Sequence, residues 1–424
     1  MSAASRRGPL LGCIADDYTG GTDVAAALRR AGARTALLFG PPGADAPLPE
    51  CDAVVVALKT RTAPVAEAVS ASLAVREWLA GHGVPRVYVK YCSTFDSTDE
   101  GNIGPIVDAV LDASGTAQTV VCPAAPEHGR TVYQGHLFVG DRLLSQTSMR
   151  HHPLTPMTDP DLVAVLSRQT PHPVGLLPLP VVRRGGAAVR DALEELGRRG
   201  VRHVVADATC GEELTALAEG TAHLPVVTGA AGLARAVGHL LTGPDAAGAD
   251  AAGAGVTGPE RARLPHGPAI VLSGSCSAAT LEQVEHARKV FPSYRLDPAA
   301  PGDPAAGVRA WLDDHAGRGP VMVYSSAAPG ERGDAGAAEA VEQALAAAAR
   351  HAVDLGVRRI VVAGGETSGA VVRGLGIGSV VVTGEADRGV PWCLTTGEPR
   401  LALLLKSGNF GRGDLFVRAL EETE

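Results

Sequence analysis

The chain is 424 residues long, with 45% hydrophobic and 20% charged residues and a formal net charge of -8. This length favours two domains over one, and the composition is typical of a globular protein. The negative charge argues against a nucleic-acid or anionic-membrane surface, and the lack of any 18-residue apolar span argues against a transmembrane helix.

Short apolar runs alternate along the chain with amphipathic, Ala- and Leu-rich stretches. In the first half the apolar runs predict strands at Leu10–Ala15, Thr35–Leu38, Ala53–Leu58, Val87–Tyr91, Thr119–Cys122, Val174–Leu177, His203–Ala206 and Val226–Thr228. The amphipathic stretches predict helices, among them Thr22–Arg30, Pro64–Ala80 and Ala187–Gly197. This alternation indicates mostly parallel sheets covered by helices.

Two segments interrupt the alternation. Residues 123–161 have poor periodicity and predict a long irregular loop, and loops of that length are usually functional or disordered. Residues 243–262 are rich in Ala and Gly, a composition typical of a linker.

The alternation resumes after the linker. Strands are predicted at Ala269–Leu272, Val321–Tyr324, Ile360–Ala363, Val380–Val382 and Leu401–Leu405, with a long helix around Ala335–Leu355. We therefore predict an α/β fold with two domains, each a mostly parallel sheet flanked by helices. They are an N-terminal domain at 1–242 and a C-terminal domain at 263–424, with an active site in the cleft between them.

Polar segments follow three predicted strands of the first half, where ligands of open α/β sheets bind. Asp16 and Asp17 end the first strand and precede Gly-Gly and a helix, so they can hold a hydroxyl group and accept its proton. The alternative is structural: one Asp satisfies the turn, and Thr22 or Asp23 caps the helix.

The other two strand ends, and the long loop, carry cations and hydroxyl groups. Lys59 and Arg61 follow the third predicted strand and suit a carboxylate, although plain surface charge is an equal alternative. Further candidates for contact with a small polar acid are Lys90, Ser93, Thr94, Asp96 and, from the long loop, Arg130. Three of the four Lys of the chain, Lys59, Lys90 and Lys406, lie in such polar segments.

Small residues follow three strands of the second half. Ser273–Ser277, Gly364–Gly369 and Lys406–Gly411 are strand-to-helix turns of the kind that expose backbone N–H groups to phosphate. Each turn alone is weak evidence for a nucleotide site, because such turns often serve only tight packing, but the three together predict one. The P-loop pattern and the dinucleotide fingerprint are both missing from the sequence.

The seven cysteines are scattered and contain no CxxC pair, which favours a reducing, cytoplasmic location without disulfides or a zinc site. No other metal-ligand spacing is present, so we predict no protein metal site. The expected partners are small molecules, with no nucleic acid and no membrane, and homo-oligomer formation stays open.

Several long segments resemble the four-carbon acid sugar kinases. They include ADDYTGGTD (15–23), LKTRT (58–62), KYCSTFDST (90–98), PAAPEHGRTVYQGHLFV (123–139), LSGSCS (272–277), VVAGGETSGAVV (361–372) and LKSGNFG (405–411). The resemblance covers nearly the whole chain outside the linker.

The resemblance implies ATP-dependent phosphorylation of the terminal hydroxyl of a four-carbon acid sugar, 3-oxo-tetronate, with Mg²⁺ entering with ATP. By motif, it implies ATP contacts at Ser275, Gly365, Glu366, Thr367, Ser368 and Gly408. It implies acid-sugar contacts at Asp16, Asp17, Lys59, Arg61, Lys90 and the 93–98 loop. Asp16 or Asp17 would serve as the base.

Two alternatives stay open at this point. A kinase of the same family acting on D-threonate or D-erythronate would share these motifs. A non-catalytic sensor of sugar acids would not need the three complete Gly/Ser turns.

Overall fold

The computed structural model describes residues 8–43, 46–48, 50–152, 154–243, 264–297, 303–326 and 335–421. The chain divides into two compact units, unit 1 (Met1–Gly255) and unit 2 (Val256–Glu424). Except for Gly243, the predicted linker at 243–262 lies outside the described residues. Within the described ranges, every helix is too short or too polar to cross a membrane.

Unit 1 is built on an eight-stranded sheet in which all the paired strands are parallel. Its strands are β1 (Leu11–Ala15), β2 (Thr35–Phe39), β3 (Ala53–Ala57), β4 (Val87–Lys90), β5 (Thr119–Cys122), β9 (Val174–Leu177), β10 (His203–Ala206) and β11 (Val226–Gly229). The strand order is β2-β3-β1-β4-β11-β5-β10-β9. The order reverses between β1 and β4, which makes the crevice at their carboxyl ends the expected ligand site.

Helices cover the sheet of unit 1. They are α1 (Tyr18–Arg30), α2 (Val65–Gly81), α3 (Ile103–Ala113), α4 (Leu162–Ser167), α5 (Leu179–Val182), α6 (Gly186–Arg198), α7 (Gly211–Gly220) and α8 (Ala231–Thr242). The five residues of β1 are all buried, as expected for a central parallel strand covered on both faces.

The predicted start of the first helix at Thr22 is wrong by one turn. The helix α1 begins at Tyr18, and its N-cap is Asp17, whose carboxylate accepts a hydrogen bond from Gly20 N at 2.9 Å. Asp17 therefore has the capping role that was predicted for Thr22 or Asp23. The prediction placed the helix too late because Gly20 and Gly21 suggested a turn, whereas both lie inside the helix.

The predicted loop at 123–161 contains regular structure. Arg130–Tyr133 (β6), His136–Val139 (β7) and Arg142–Leu143 (β8) form a small antiparallel sheet. The carboxylate of Asp207 accepts hydrogen bonds from Gln134 N and Gly135 N, at 2.8 and 2.9 Å, and so holds the β6–β7 turn. These strands are two to four residues long and mostly half-exposed, which is too short to show a clear strand periodicity in the sequence.

Unit 2 is built on a seven-stranded sheet. Its strands are β12 (Ala269–Ser273), β13 (Ser293–Arg295), β14 (Val321–Tyr324), β15 (Arg359–Ala363), β16 (Ser379–Asp387), β17 (Val390–Thr395) and β18 (Ala402–Lys406). The order is β13-β14-β12-β15-β18-β17-β16, and only β17 runs antiparallel to its neighbours. The strands β13 and β17 were not predicted from the sequence.

Helices also flank this second sheet. They are α9 (Ala278–Ala287), α10 (Pro304–His315), α11 (Ala335–Asp354), α12 (Gly365–Gly374) and α13 (Leu415–Glu421). One apolar cluster of unit 2 packs β12, β15 and β18 against α9 and α13. Each unit is thus a mostly parallel sheet flanked by helices, which confirms the predicted fold class.

Candidate active site

The polar segments of unit 1 meet at one edge of its sheet. Ala15, the last residue of β1, pairs with Ala57 of β3 on one side and with Lys90 of β4 on the other. The residues that follow these strands therefore emerge side by side, because parallel strands end at the same edge.

Arg61 gathers three of the predicted carboxylates. Its guanidinium forms a two-pronged pair with Asp16, Nε to Oδ2 at 2.8 Å and Nη2 to Oδ1 at 3.0 Å. Nη2 also donates to Asp17 Oδ1 at 2.7 Å, and Nη1 lies 3.8 Å from Asp96 Oδ2. A planar fork with five N–H donors suits this arrangement, so Arg61 fixes the orientation of the two Asp side chains.

The two neighbouring carboxyl groups titrate differently. Burial raises the pKa of Asp16 above its ordinary value, and the attraction of Arg61 offsets this only in part. Burial also acts on Asp17, but Arg61, Lys90 and the hydrogen bonds from Thr19 and Gly20 outweigh it, so the pKa of Asp17 is lowered. Asp16 is therefore the better proton acceptor of the two, while Asp17 stays ionised as a cap.

Lys90 is a buried cation, with 2% of its surface exposed. Burial lowers its pKa, but the carboxylates of Asp16, Asp23 and Asp17 outweigh burial and the net shift is upward, so the group is an ammonium ion. Among the described residues we find no hydrogen-bond partner for this ammonium. Gly20 makes room for it, since a Cβ at Gly20 would lie 2.9 Å from Lys90 Nζ.

A small pocket, open to solvent, lies at this edge of the sheet. Apolar side chains and polar residues from all three strand ends line it; the polar ones are Asp16, Arg61, Lys90, Asp96, Ser97 and Asn102. An apolar wall with a few converging polar groups suits a small polar ligand.

Asn102 is a pocket residue to which the sequence analysis gave no role. Its amide donates to the carbonyl oxygens of Thr60 at 2.6 Å and Ala63 at 2.8 Å, which fixes the loop that carries Arg61. Its own Oδ1 is buried without a partner among the described residues. The sequence feature that could have pointed to Asn102 is the GNIGP segment (101–105), in which this Asn directly precedes α3.

The 93–98 loop is held in an unusual conformation. Phe95 has a positive φ of 55°, although it is not glycine, and its buried ring packs edge-on against Tyr91 at 5.4 Å. Its neighbours Thr94 and Asp96 are hydrogen-bonded to each other at 2.6 Å. Strain of this kind collects at functional sites, and Asp96, the next residue, lines the pocket.

Other predicted residues of unit 1 lie outside the pocket lining. These are Asp17, Lys59, Ser93, Thr94 and Arg130. Arg130 donates a short hydrogen bond to the carbonyl oxygen of His128 within its own loop. Burial raises the pKa of the nearby Cys92 thiol to about 12, which argues against a nucleophilic role for that residue.

Asp23 is a further titratable group beside this site. Its Oδ1 is buried without a hydrogen-bond partner among the described residues. Burial raises its pKa to about 6, against the partial opposition of Lys90 and Arg30. The folded state therefore favours protonated Asp23, and the stability that this protonation provides is present below pH 3.8 and lost as the pH rises through about 6.

Replacing Asp23 with Asn is expected to stabilise the protein at pH 8 by about 1–3 kcal/mol, because the neutral amide removes a poorly solvated charge. Urea unfolding at pH 5 and pH 8 measures this, and the gain should shrink at the lower pH. Asp141→Asn, at an exposed position, is the control. A variant that is less stable than wild type at pH 8, or a gain that does not change with pH, would contradict the prediction.

The Gly/Ser turns of unit 2 also meet at one edge. Ser273 of β12 pairs with Ala363 of β15, and Ala363 pairs with Lys406 of β18. Backbone hydrogen bonds join the turns, from Ser275 N to Ala363 O at 3.2 Å and from Gly364 N to Lys406 O at 3.0 Å. The strand order reverses between β12 and β15, so this edge is the expected ligand site of unit 2.

The close approach of the turns requires small residues. A Cβ on Gly408 would lie 2.6 Å from Ser275 Oγ, and one on Gly274 would lie 2.3 Å from Thr367 Oγ1. Gly364, with a φ of 119°, caps α12 without a side chain. The helix thus begins with backbone N–H groups that no side chain of its cap covers, which suits phosphate.

The predicted ATP contacts all lie on these turns. Ser275 follows β12, Gly408 follows β18, and Gly365, Glu366, Thr367 and Ser368 form the first turn of α12. Ser368 is fully buried, and its Oγ has no hydrogen-bond partner among the described residues. The glycine cradle and this hydroxyl fit a bound nucleotide phosphate.

The chain matches two family models. Residues 11–237 match a sugar-binding N-terminal domain, and residues 270–416 match a nucleotide-binding C-terminal domain. The two matched ranges contain the pocket of unit 1 and the turns of unit 2.

Similar proteins align along nearly the whole chain. A 3-oxo-tetronate kinase from Burkholderia multivorans is 48% identical over 433 residues, covering 99% of this chain and 98% of the relative. One from Cupriavidus necator is 46% identical, covering 98% and 97%. The crystal structure of a Salmonella typhimurium LT2 protein, provisionally named a tRNA synthase, has a TM-score of 0.85 at 38% identity, covering 98% of this chain and 99% of that one.

Proposed function

The chain belongs to the four-carbon acid sugar kinase family, and from this we propose that it transfers the γ-phosphoryl group of ATP to the C4 hydroxyl of 3-oxo-tetronate. The product would be 3-oxo-tetronate 4-phosphate. Relatives at 48% and 46% identity carry the name 3-oxo-tetronate kinase.

The observation that carries the proposal is that Asp16 and Lys90 line the same small pocket. An ammonium with 2% exposure and no hydrogen-bond partner among the described residues suits a ligand carboxylate. A carboxyl group with a raised pKa suits a ligand hydroxyl. A short sugar acid carries both groups.

In the proposed reaction the carboxylate of Asp16 accepts the proton of the C4 hydroxyl. The C4 oxygen then forms a bond to the γ-phosphorus, the bond from that phosphorus to the bridging oxygen breaks, and ADP leaves with the electron pair. Arg61 holds Asp16 by two hydrogen bonds and so positions it. Phosphoryl transfer depends mainly on positioning and charge neutralisation, so this small set of groups suffices.

Unit 2 is proposed to hold ATP at its three Gly/Ser turns, through Ser275, Gly365–Ser368 and Gly408. Mg²⁺ is proposed to enter with the nucleotide, held mainly by phosphate oxygens and water. In the described part of the chain, no group of three or more His, Cys, Asp or Glu side chains is placed to hold a metal ion.

A cytoplasmic location is also part of the proposal. The seven cysteines form no disulfide within the described residues, and four of them are buried. Reduced cysteines are typical of a reducing compartment, and ATP is supplied there.

The test is ATP consumption by the purified chain with 3-oxo-tetronate, D-threonate and D-erythronate, with the product identified by phosphorus NMR. We expect turnover with 3-oxo-tetronate and a phosphate ester at C4. Faster turnover with D-threonate or D-erythronate would assign the chain to that substrate instead. No turnover with any of the three acids would reject the kinase proposal.

A further inference from the structure

Lys406 is a lysine buried inside unit 2, with 0% of its surface exposed. It is the last residue of β18, directly before the turn at 407–411. Its ammonium donates three hydrogen bonds, to Thr280 Oγ1 at 2.8 Å, Gln283 Oε1 at 2.7 Å and Gly408 O at 3.0 Å. Two of these partners lie on α9 and one lies on the turn, so Lys406 joins the turn to the helix.

All three partners can only accept from Lys406. The hydroxyl proton of Thr280 is already donated to Gly408 O at 2.8 Å, so its oxygen accepts from the lysine. The amide nitrogen of Gln283 is directed at the carbonyl oxygens of Phe410, Gly411 and Arg412, each at 3.0 Å, which leaves its Oε1 facing Lys406. Only an ammonium, with three N–H bonds, satisfies all three acceptors at once.

The carbonyl of Gly408 is held from two further sides. Ser277, the N-cap of α9, donates a short hydrogen bond to it, and Thr280 donates the bond described above. With the bond from Lys406, this oxygen accepts three hydrogen bonds. The turn is therefore fixed against α9, where Gly408 meets Ser275.

We propose that Lys406 is a positioning residue of the nucleotide site, which holds the 407–411 turn against α9 in the geometry that binds ATP phosphate. This inference rests on the proposed function, because it takes the turn as part of the ATP site. Lys406 itself does not touch the nucleotide: its three N–H bonds are all directed at protein oxygens.

The charge of Lys406 depends on pH in the neutral range. Burial lowers its pKa to about 7. Among the described residues, the side chains that Lys406 contacts are uncharged, namely Thr280 and Gln283 of α9 and the Phe416 ring of α13, whose centroid lies 5.7 Å away. The carboxylate of Glu282 lies beside Gly413 instead. As the pH rises through 7, the amine keeps two N–H bonds, loses one of its three contacts, and holds the turn less firmly.

The test compares wild type with Lys406→Met from pH 6 to pH 9, with the Michaelis constants for ATP and for the acid sugar measured separately. We expect the variant to have an ATP Michaelis constant about 10-fold higher at pH 6, and an acid-sugar Michaelis constant within 2-fold of wild type. Above pH 7 the ATP constants of wild type and variant should converge, so that the 10-fold difference between them shrinks. The exposed Lys289→Met is the matched control.

ADP binding, measured by calorimetry without acid sugar, separates this inference from the proposed function. Weaker ADP binding by Lys406→Met supports the role of Lys406 even if no acid is phosphorylated. Equal ADP affinity in both proteins across this pH range overturns it. If Lys406→Met does not fold, Thr280→Val, which removes one of the three acceptors, replaces it. We expect weaker ADP binding by Thr280→Val, with a smaller loss than for Lys406→Met, and equal ADP affinity overturns the inference.

Discussion

Asp16→Asn is expected to lower kcat by about 100-fold or more, the usual effect of removing an acid–base group. The amide cannot accept the C4 proton, although its shape is almost unchanged. The fold should survive for two reasons. Burial already disfavours the charged form of Asp16, so a neutral amide at this position is tolerated. Arg61 also keeps its hydrogen bond to Asp17 at 2.7 Å.

Asp17→Asn is the matched comparison. Asn is as good an N-cap as Asp, so its oxygen can still accept from Gly20 N and α1 should stay intact. Asp17 does not line the pocket, and we expect a smaller loss of kcat than for Asp16→Asn. A larger loss for Asp17→Asn would move the base to that residue. Near-normal turnover for both variants would remove the proton-acceptor role from the pair.

The pH profile gives a second measurement on the same variants. If Asp16 is the base, wild-type kcat falls as the pH drops through its raised pKa, because the protonated carboxyl cannot accept a proton. That acidic limb should disappear in Asp16→Asn and persist in Asp17→Asn. Melting temperatures and acid-sugar binding, measured alongside, distinguish a chemical defect from a folding defect.

The sheet edge that carries the pocket was predictable, because its three strands leave a local signal. The strands β1, β3 and β4 are apolar runs closely followed by Asp, Lys, Arg, Ser or Thr, and parallel strands place such ends together. The pairing of Arg61 with Asp16 could not be predicted, because the two residues are 45 positions apart. Arg61 was predicted to bind the substrate carboxylate, whereas in the fold its guanidinium forms hydrogen bonds with the carboxylates of Asp16 and Asp17.

The same limit applies to unit 2. The Gly and Ser residues of the three turns are visible in the sequence, and so is the rarity of Lys. The role of Lys406 depends on Thr280 and Gln283, which lie 126 and 123 positions earlier in the chain. Likewise β17 escaped prediction, because Pro391 interrupts its apolar run and proline is depleted from strand interiors.

Lys59 and Lys90, the two lysines of unit 1, were both predicted to contact the acid sugar, but they have different positions in the fold. Lys90 lines the pocket with its ammonium buried, whereas Lys59 lies on the loop after β3, outside the lining. Arg61 is engaged by Asp16 and Asp17. Lys90 is therefore the cation best placed for the carboxylate of the acid sugar.

Lys90→Met is expected to raise the Michaelis constant of the acid sugar by about 10- to 100-fold, the equivalent of one charge-assisted hydrogen bond of about 1.5–3 kcal/mol. The value of kcat should change far less, because Asp16 and Arg61 are retained. Steady-state kinetics with ATP at saturation measure both constants, and Lys59→Met should have the smaller effect. A larger effect for Lys59→Met would place the substrate carboxylate on the loop after β3.

Lys90→Arg tests whether shape matters as well as charge. A guanidinium is wider than an ammonium, and the space beside Gly20 is so narrow that even a Cβ there would lie 2.9 Å from Lys90 Nζ. We therefore expect Lys90→Arg to bind the acid sugar as poorly as Lys90→Met. Recovery of wild-type affinity in Lys90→Arg would mean that any cation at this strand end serves, and that the burial of Lys90 has no part in selecting the ligand.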